Sequence, residues 1–419
     1  MSASEFLIRD VAVLDCTGGE PSGRHDVAVH DGKIAAIRPA GDASVKTDAL
    51  QIDGSGCTLM PGLTDAHVHF ALIGLKGDHG DEPLIHHVLR VAEYISGALD
   101  EGFTTVRDAG GLEPAWAKAV EDGLVRGPRI LPSGSFLSQT GGHGDVRAAH
   151  EALHGGPAIP GLLATTEIVD GPDEVRRAAR EQLRRGATQI KLLASGGIAS
   201  PTDPFDSIQF SPAEIAAAVE VATNWHTYVL AHCHTSPAIE IAIEAGVRSI
   251  EHGSLLDPAT ARRMAELKVF MVPTLQTLNM LATHPDRLGL TPEKVAILQS
   301  VKDRCFESVK TADAAGVALG SGSDVIGPWQ GRRGEEIVLK AGLLGAHKAI
   351  ISATRTNAEL FELEHRIGTV EVGKDADLIL VSGEPLDRVE LLADPECVPF
   401  VMKAGAVAKD ADGRAGARG

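Results

Sequence analysis

The chain has 419 residues, 43% of them hydrophobic, with 46 glycines and a formal net charge of −18. That length exceeds one small core and suits a barrel of about 250 residues or more with a smaller second domain. A charge of this sign repels nucleic acid and anionic membranes, which argues against both as partners.

Residues 5–60 read as short strands. Phe6-Leu7-Ile8, Val11-Ala12-Val13-Leu14, Val27-Ala28-Val29 and Ile34-Ala35-Ala36-Ile37 are separated by breaks such as Asp31-Gly32, a two-residue hairpin signal. Apolar strand-like runs then alternate with helical ones. The strand candidates are 57–69, 104–109, 129–135, 189–195, 227–233, 249–254, 269–275 and 317–324. Helix starts lie between them. Ser211-Pro212-Ala213-Glu214 supplies an N-cap, a proline at the first helical position and a capping-box glutamate; Thr291-Pro292-Glu293 opens another helix. Eight strands alternating with helices predict an α/β fold, a (β/α)8 TIM barrel. The turn-rich stretch 136–165, with Gly141-Gly142-His143-Gly144 and Gly155-Gly156-Pro157, follows the third strand and is expected to form a lid or pocket wall. Beyond the barrel, Val372-Gly373-Lys374-Asp375 is turn-like, and 377–381 and 399–402 are strand-like. Both ends are therefore expected to build one small composite β-sandwich. The division is 1–60 and 361–409 for the sandwich, 61–360 for the barrel and 410–419 for a frayed tail.

Five cysteines, Cys16, Cys57, Cys233, Cys305 and Cys397, lack any CxxC spacing. They read as reduced thiols of a cytoplasmic protein. The N-terminus has no basic start with a long apolar stretch, so no signal peptide is expected. No run of 18 apolar residues predicts a membrane span.

The chemistry concentrates at strand ends. His67-Val68-His69 closes the first barrel strand, and residues i and i+2 of a strand face the same way, so both imidazoles can grip one ion. Lys191, His232, His252 and Asp324 end the fourth, fifth, sixth and eighth strands. In barrels that rim holds the active site. Imidazole nitrogens and carboxylate oxygens suit zinc or a similar divalent ion. One histidine alone is more often a structural hydrogen-bonder, and one lysine at a strand end is more often solvated. Six such residues in order on successive strands point to a metal-dependent hydrolase.

This pattern resembles the amidohydrolase superfamily over nearly the whole chain. The resemblance rests on Asp31-Gly32-Lys33-Ile34, Pro61-Gly62-Leu63-Thr64-Asp65-Ala66-His67-Val68-His69, Thr105-Val106-Arg107-Asp108-Ala109-Gly110-Gly111, Gln189-Ile190-Lys191, Ala231-His232-Cys233-His234, Ile250-Glu251-His252-Gly253 and Gly320-Ser321-Gly322-Ser323-Asp324. Ser138-Gln139-Thr140-Gly141-Gly142-His143 and Ala194-Ser195-Gly196-Gly197-Ile198-Ala199-Ser200-Pro201 are similar to the binuclear-metal subgroup. That subgroup holds Xaa-Pro dipeptidases, imidazolonepropionase-like amidohydrolases and ochratoxin A-hydrolysing amidohydrolases.

The resemblance implies two divalent ions, zinc above all, bridged by Lys191 carboxylated with CO2. One ion would take His67, His69 and Asp324, the other His232 and His252, with a bridging hydroxide as nucleophile. Asp324 would shuttle the proton. His143 would act on the substrate carbonyl or carboxylate. His234 would also contact substrate, and Arg332 and Arg333 on the last rim loop would hold a carboxylate. The expected partner is a small-molecule amide beside a free carboxylate, such as an Xaa-Pro dipeptide, an N-acyl amino acid or an ochratoxin-like N-aroyl amino acid. A homo-oligomer is implied as well. Two rivals stand beside this reading. One is a mononuclear deaminase or cyclic-amide (imidazolone-type) hydrolase, against which Lys191 speaks. The other is a non-catalytic scaffold protein, against which the complete ligand set speaks.

Overall fold

The computed structural model describes residues 5–18, 22–42, 49–74, 83–147, 166–198, 203–288 and 292–416. The N-terminal end contributes β1 (Phe6–Val13), β2 (Ser22–His30), β3 (Lys33–Pro39), β4 (Leu50–Asp53) and β5 (Cys57–Pro61). The β2–β3 turn has φ 49° at Asp31 and 75° at Gly32. Two positive φ values in a two-residue loop are what the right-handed twist of a hairpin demands.

Gly62 separates β5 from β6 (Leu63–Val68), so the run 57–69 is two strands rather than the single one expected. The break is steric, since a Cβ on Gly62 would lie 2.1 Å from Thr104 Oγ1. From β6 to β14 the strand pairings are parallel. β6 pairs with β7 (Phe103–Asp108), and β7 with β8 (Arg129–Pro132). The two-residue strands β9 (Leu137–Ser138) and β10 (Glu167–Ile168) lie on the edge of a second arc. That arc continues through β11 (Ile190–Leu193), β12 (Val229–Thr235), β13 (Ser249–Leu255) and β14 (Phe270–Val272). Backbone bonds close the circuit. Thr188 N donates to Pro132 O at 2.8 Å, Met271 N to Ala318 O at 3.0 Å and Ala66 N to Ser321 O at 2.8 Å. The result is a TIM barrel with an extra domain.

The eighth barrel segment departs from expectation. Over 317–324 the only bridge among the described residues joins Leu319 to Met271. Gly320-Ser321-Gly322-Ser323 has no β-branched bulk to favour a ladder. Close approach explains Gly322, where a Cβ would fall 2.6 Å from His67 Cβ. The capping box forms as read: Ser211 N donates to Glu214 Oε2 at 2.6 Å and opens the helix Pro212–Asn224. The helix at Pro292–Ala315 is also present. Of the expected lid, 148–165 lies outside the described residues, as do Thr291 and 199–201.

β15 (Leu378–Ser382), β16 (Phe400–Lys403) and β17 (Ala406–Asp410) return to the terminal domain. One eight-stranded sheet results, in the order β17-β16-β15-β5-β1-β2-β3, with β4 beside β1. Ile8, Val27, Leu59, Leu380 and Phe400 pack in its core. The tail expected to fray from 410 is held through 416. Ala415 bridges Ile52, and the Asp410 carboxylate accepts from Arg414 N at 2.7 Å and Ala415 N at 3.1 Å. Among the described residues no helix is long and apolar enough to cross a membrane.

An ionic clasp ties the sheet to the barrel. Arg129, at the start of β8, donates to Asp377 Oδ2 at 2.8 Å and Asp375 Oδ2 at 3.2 Å. Asp375 also receives Lys33 Nζ at 3.0 Å and Arg366 Nη2 at 2.7 Å. Burial opposes the Asp375 charge, but these hydrogen bonds and the Arg366 and Arg129 charges outweigh it and hold the carboxyl below its ordinary value. Its stabilising contribution is therefore complete above the unfolded carboxylate value and fades as pH falls through the folded one. Arg129→Ala is expected to cost about 3 kcal/mol at neutral pH, the low end for breaking a buried pair. That deficit should shrink below about pH 4. Urea unfolding of both proteins at neutral and acid pH checks this; a pH-independent deficit would assign the loss to packing.

Candidate active site

The barrel delivers imidazoles to one rim. His67 and His69 leave β6, His232 and His234 end β12, His252 stands in β13, Lys191 in β11, and Asp324 follows the irregular eighth segment. His67 Nε2 lies 3.2 Å from His69 Nε2 and 3.7 Å from Asp324 Oδ1; His69 Nε2 is 3.4 Å from the same oxygen. These three ligand atoms fall within 4.8 Å of one another. The far nitrogens are already engaged. His67 Nδ1 donates to Glu251 Oε2 at 2.6 Å, and His69 Nδ1 to Gly110 O at 2.8 Å. Both acceptors demand the proton on Nδ1, so each Nε2 turns a lone pair to the centre.

The second half lies alongside. The His232 and His252 ring centroids are 4.5 Å apart, and His67 and His252 5.1 Å. His232 Nε2 sits 3.2 Å from Gly196 O and His252 Nδ1 2.7 Å from Thr274 Oγ1. One nitrogen of each ring is thereby fixed and the other left for a ligand. Burial holds His67, His232 and His252 well below the ordinary imidazole value and His69 down to about 3. All four are neutral at pH 7. Burial likewise pushes the Asp324 carboxyl up to about 8 and, against the Glu251 and Asp324 charges, the Lys191 ammonium down to about 8. Lys191 is 1% exposed. Neutral imidazoles, a buried carboxyl and a lysine easily deprotonated form a donor set that fits divalent cations. His252 and Asp324 also adopt positive φ, 72° and 53°, strain of the kind that collects at functional sites.

His143 and His234 are brought to the same centre. The His143 ring stacks on His232 at 4.5 Å, with Nδ1 3.9 Å from Asp203 Oδ2. Gly197 makes room for it, since a Cβ there would meet His143 Cε1 at 2.2 Å. His234 stacks on His252 at 4.9 Å and lies 4.7 Å from the Phe205 ring, its Nδ1 2.9 Å from Ser254 Oγ. Phe136 stands 5.4 Å from His69. Arg332 and Arg333 are spent elsewhere. Arg333 is buried against Glu101 and Gln330, and Arg332 pairs with Glu335 at the surface. Trp329 is buried, as are Trp116 and His87, whereas His86 and Trp225 are exposed.

Three polar residues that sequence reasoning left without a role support the candidate ligands. Fully buried Arg107 donates to Glu251 Oε1 at 2.8 Å and to Ala66 O at 2.7 Å, so Glu251 links Arg107 to His67. Asp65 Oδ1 accepts from His67 N and Ser323 N, both at 3.0 Å. All three lie within the motifs read from the sequence. The sign that could have found them is a charged residue inside an otherwise apolar barrel strand.

The amidohydrolase family profile matches residues 58–408. An ochratoxinase of Aspergillus niger is 34% identical over 409 residues, covering 93% of this chain and 84% of that protein. The crystal structure of a prolidase complexed with N-methylphosphonate-L-proline superposes with a TM-score of 0.92 and 40% identity, over 97% of this chain and 100% of that one. A Xaa-Pro dipeptidase with methionine bound in its active site gives a TM-score of 0.86 and 30% identity, over 96% and 99%.

Proposed function

The chain belongs to the amidohydrolase family and is a metal-dependent amide hydrolase; we propose that it cleaves an amide next to a free carboxylate, on two zinc ions bridged by carboxylated Lys191. The observation that carries this reading is Lys191 itself, buried to 1% exposure at the centre of the imidazoles, with the Glu251 and Asp324 charges near it. Burial makes a charged ammonium there costly and favours the neutral amine. Addition of CO2 to the neutral amine, with loss of one proton, replaces it by an anion with two oxygens, each available to one ion. His67, His69 and Asp324 would hold one divalent ion and His232 and His252 the other, and ions bound there would supply an ionised water at neutral pH and polarise a carbonyl.

The chain's own residues do the rest. Asp324, which a cation bound beside it would keep ionised, takes the proton and passes it to the leaving amine. His143 and His234 orient the substrate carbonyl and carboxylate. Phe136 and Phe205, lying against His69 and His234, wall the reaction from water. The carboxylate preference is supported by the relatives, since N-methylphosphonate-L-proline and methionine both carry one. The five unpaired cysteines support a reducing, cytoplasmic setting.

The test compares Xaa-Pro dipeptides, N-acyl amino acids and ochratoxin A with their C-terminal amides. Blocking the carboxylate leaves buried donors unpaired and should lower kcat/KM by roughly 10² or more. Equal rates on acid and amide would reject carboxylate anchoring and favour a cyclic amide. Elemental analysis should find two zinc ions per chain; a plateau at one would favour the mononuclear reading.

A further inference from the structure

The two strands that carry His67 and Asp324 meet at the seam where the barrel is least regular. On the eighth-segment side the ladder is nearly absent, and side chains hold the seam instead. The chief of them is Asn357, which is 0% exposed. Its Nδ2 donates to Thr64 O at 3.0 Å and to Ser321 O at 2.8 Å, and its Oδ1 accepts from Ser321 N at 2.9 Å. One amide thus satisfies three backbone groups on two strands. Gly320 admits it, because a Cβ there would fall 2.8 Å from Asn357 Oδ1.

Asn357 is delivered by an unusual turn. Ser352–Thr356 is π-helical, a conformation found in short pieces and often at functional sites. The turn is pinned to the same two strands. Thr64 Oγ1 donates to Ala353 O at 2.8 Å, and fully buried Lys340 Nζ joins Gly320 O at 2.7 Å to Ser352 Oγ at 3.2 Å. Thr64 and Ser321, the two residues that Asn357 grips, each stand three positions before a ligand.

We propose that Asn357 is a positioning residue of the metal centre. Its side-chain amide locks the first barrel strand to the eighth segment, so that His67, His69 and Asp324 remain within reach of one ion. The inference rests on the reading that these three share an ion.

The test measures zinc affinity by chelator competition, with thermal melting and steady-state kinetics, for the wild type, Asn357→Asp, Thr64→Val and Arg129→Ala. Asn357→Asp keeps the acceptor for Ser321 N and loses both donated bonds. It should weaken zinc binding by roughly 10-fold or more, the usual loss when a group behind a ligand is removed. Excess zinc should recover much of kcat. Thr64→Val, which removes only the tie to the π-helical turn, should shift affinity in the same direction. Arg129→Ala breaks the clasp at the opposite end of the barrel; it should melt earlier yet hold zinc as the wild type does. Should Asn357→Asp fail to fold, Thr64→Val decides. Wild-type zinc affinity in the folded seam variants, or equal zinc loss in Arg129→Ala, would overturn the proposal. A wild type that binds no zinc would sink the metal-site reading beneath it.

Discussion

Lys191→Arg is expected to fold and to be nearly inactive, with a loss on the order of 10³ or more, since residues that assemble a catalytic unit fail together. Arginine keeps the positive charge but forms no stable carbamate and cannot be deprotonated in a protein. It would place a permanent cation among neutral imidazoles that are buried to receive ions of the same sign. Metal content should fall with activity. Lys191→Ala should fail in the same way, but it leaves a space, and a short carboxylic acid added to the assay should restore part of the rate. Activity of Lys191→Arg within a few-fold of the wild type would exclude a bridging carbamate.

Asp324→Asn is expected to lower kcat by on the order of 10² or more with the fold intact. The amide nearly matches the carboxyl in shape, and it can neither take the proton nor hand it on. Crystal structures or melting curves of the variant distinguish this from collapse of the strained backbone at that position. If kcat stays within a few-fold of the wild type, the proton moves through another group, and His143, stacked on His232, is the next candidate.

Much of this site was legible in the sequence because strand ends converge in a barrel. The proposed ligands His67, His69, Lys191, His232, His252 and Asp324 needed only a strand to end beside each of them, and the apolar runs supplied that. His143 and His234 followed because each sits in or beside a glycine-rich or HxH segment. The structure gives the two arginines other partners, Glu335 for Arg332 and Glu101 with Gln330 for Arg333, and the sequence hides this for a physical reason. A charged pair in a rim loop looks the same in sequence whether it faces substrate or turns inward, and Glu101, the partner that draws Arg333 away, is more than 200 positions distant. The irregular eighth segment escaped detection because its apolar lead-in resembles a strand, while serines and glycines finish it. Asn357 gave no signal at all. Its role depends on a π-helical turn, and no spacing of apolar residues announces one.

The single residue between β5 and β6 has a mechanical consequence. Gly62 is itself held, its N donating to Asp377 O at 2.8 Å, and Leu63 N donates to Gly102 O at 3.0 Å. Terminal sheet and catalytic strand therefore share one nearly unbroken length of backbone, without slack for a hinge. The small domain acts as a rigid handle on the strand bearing His67 and His69, coupled to it through this backbone and not through the Arg129 clasp.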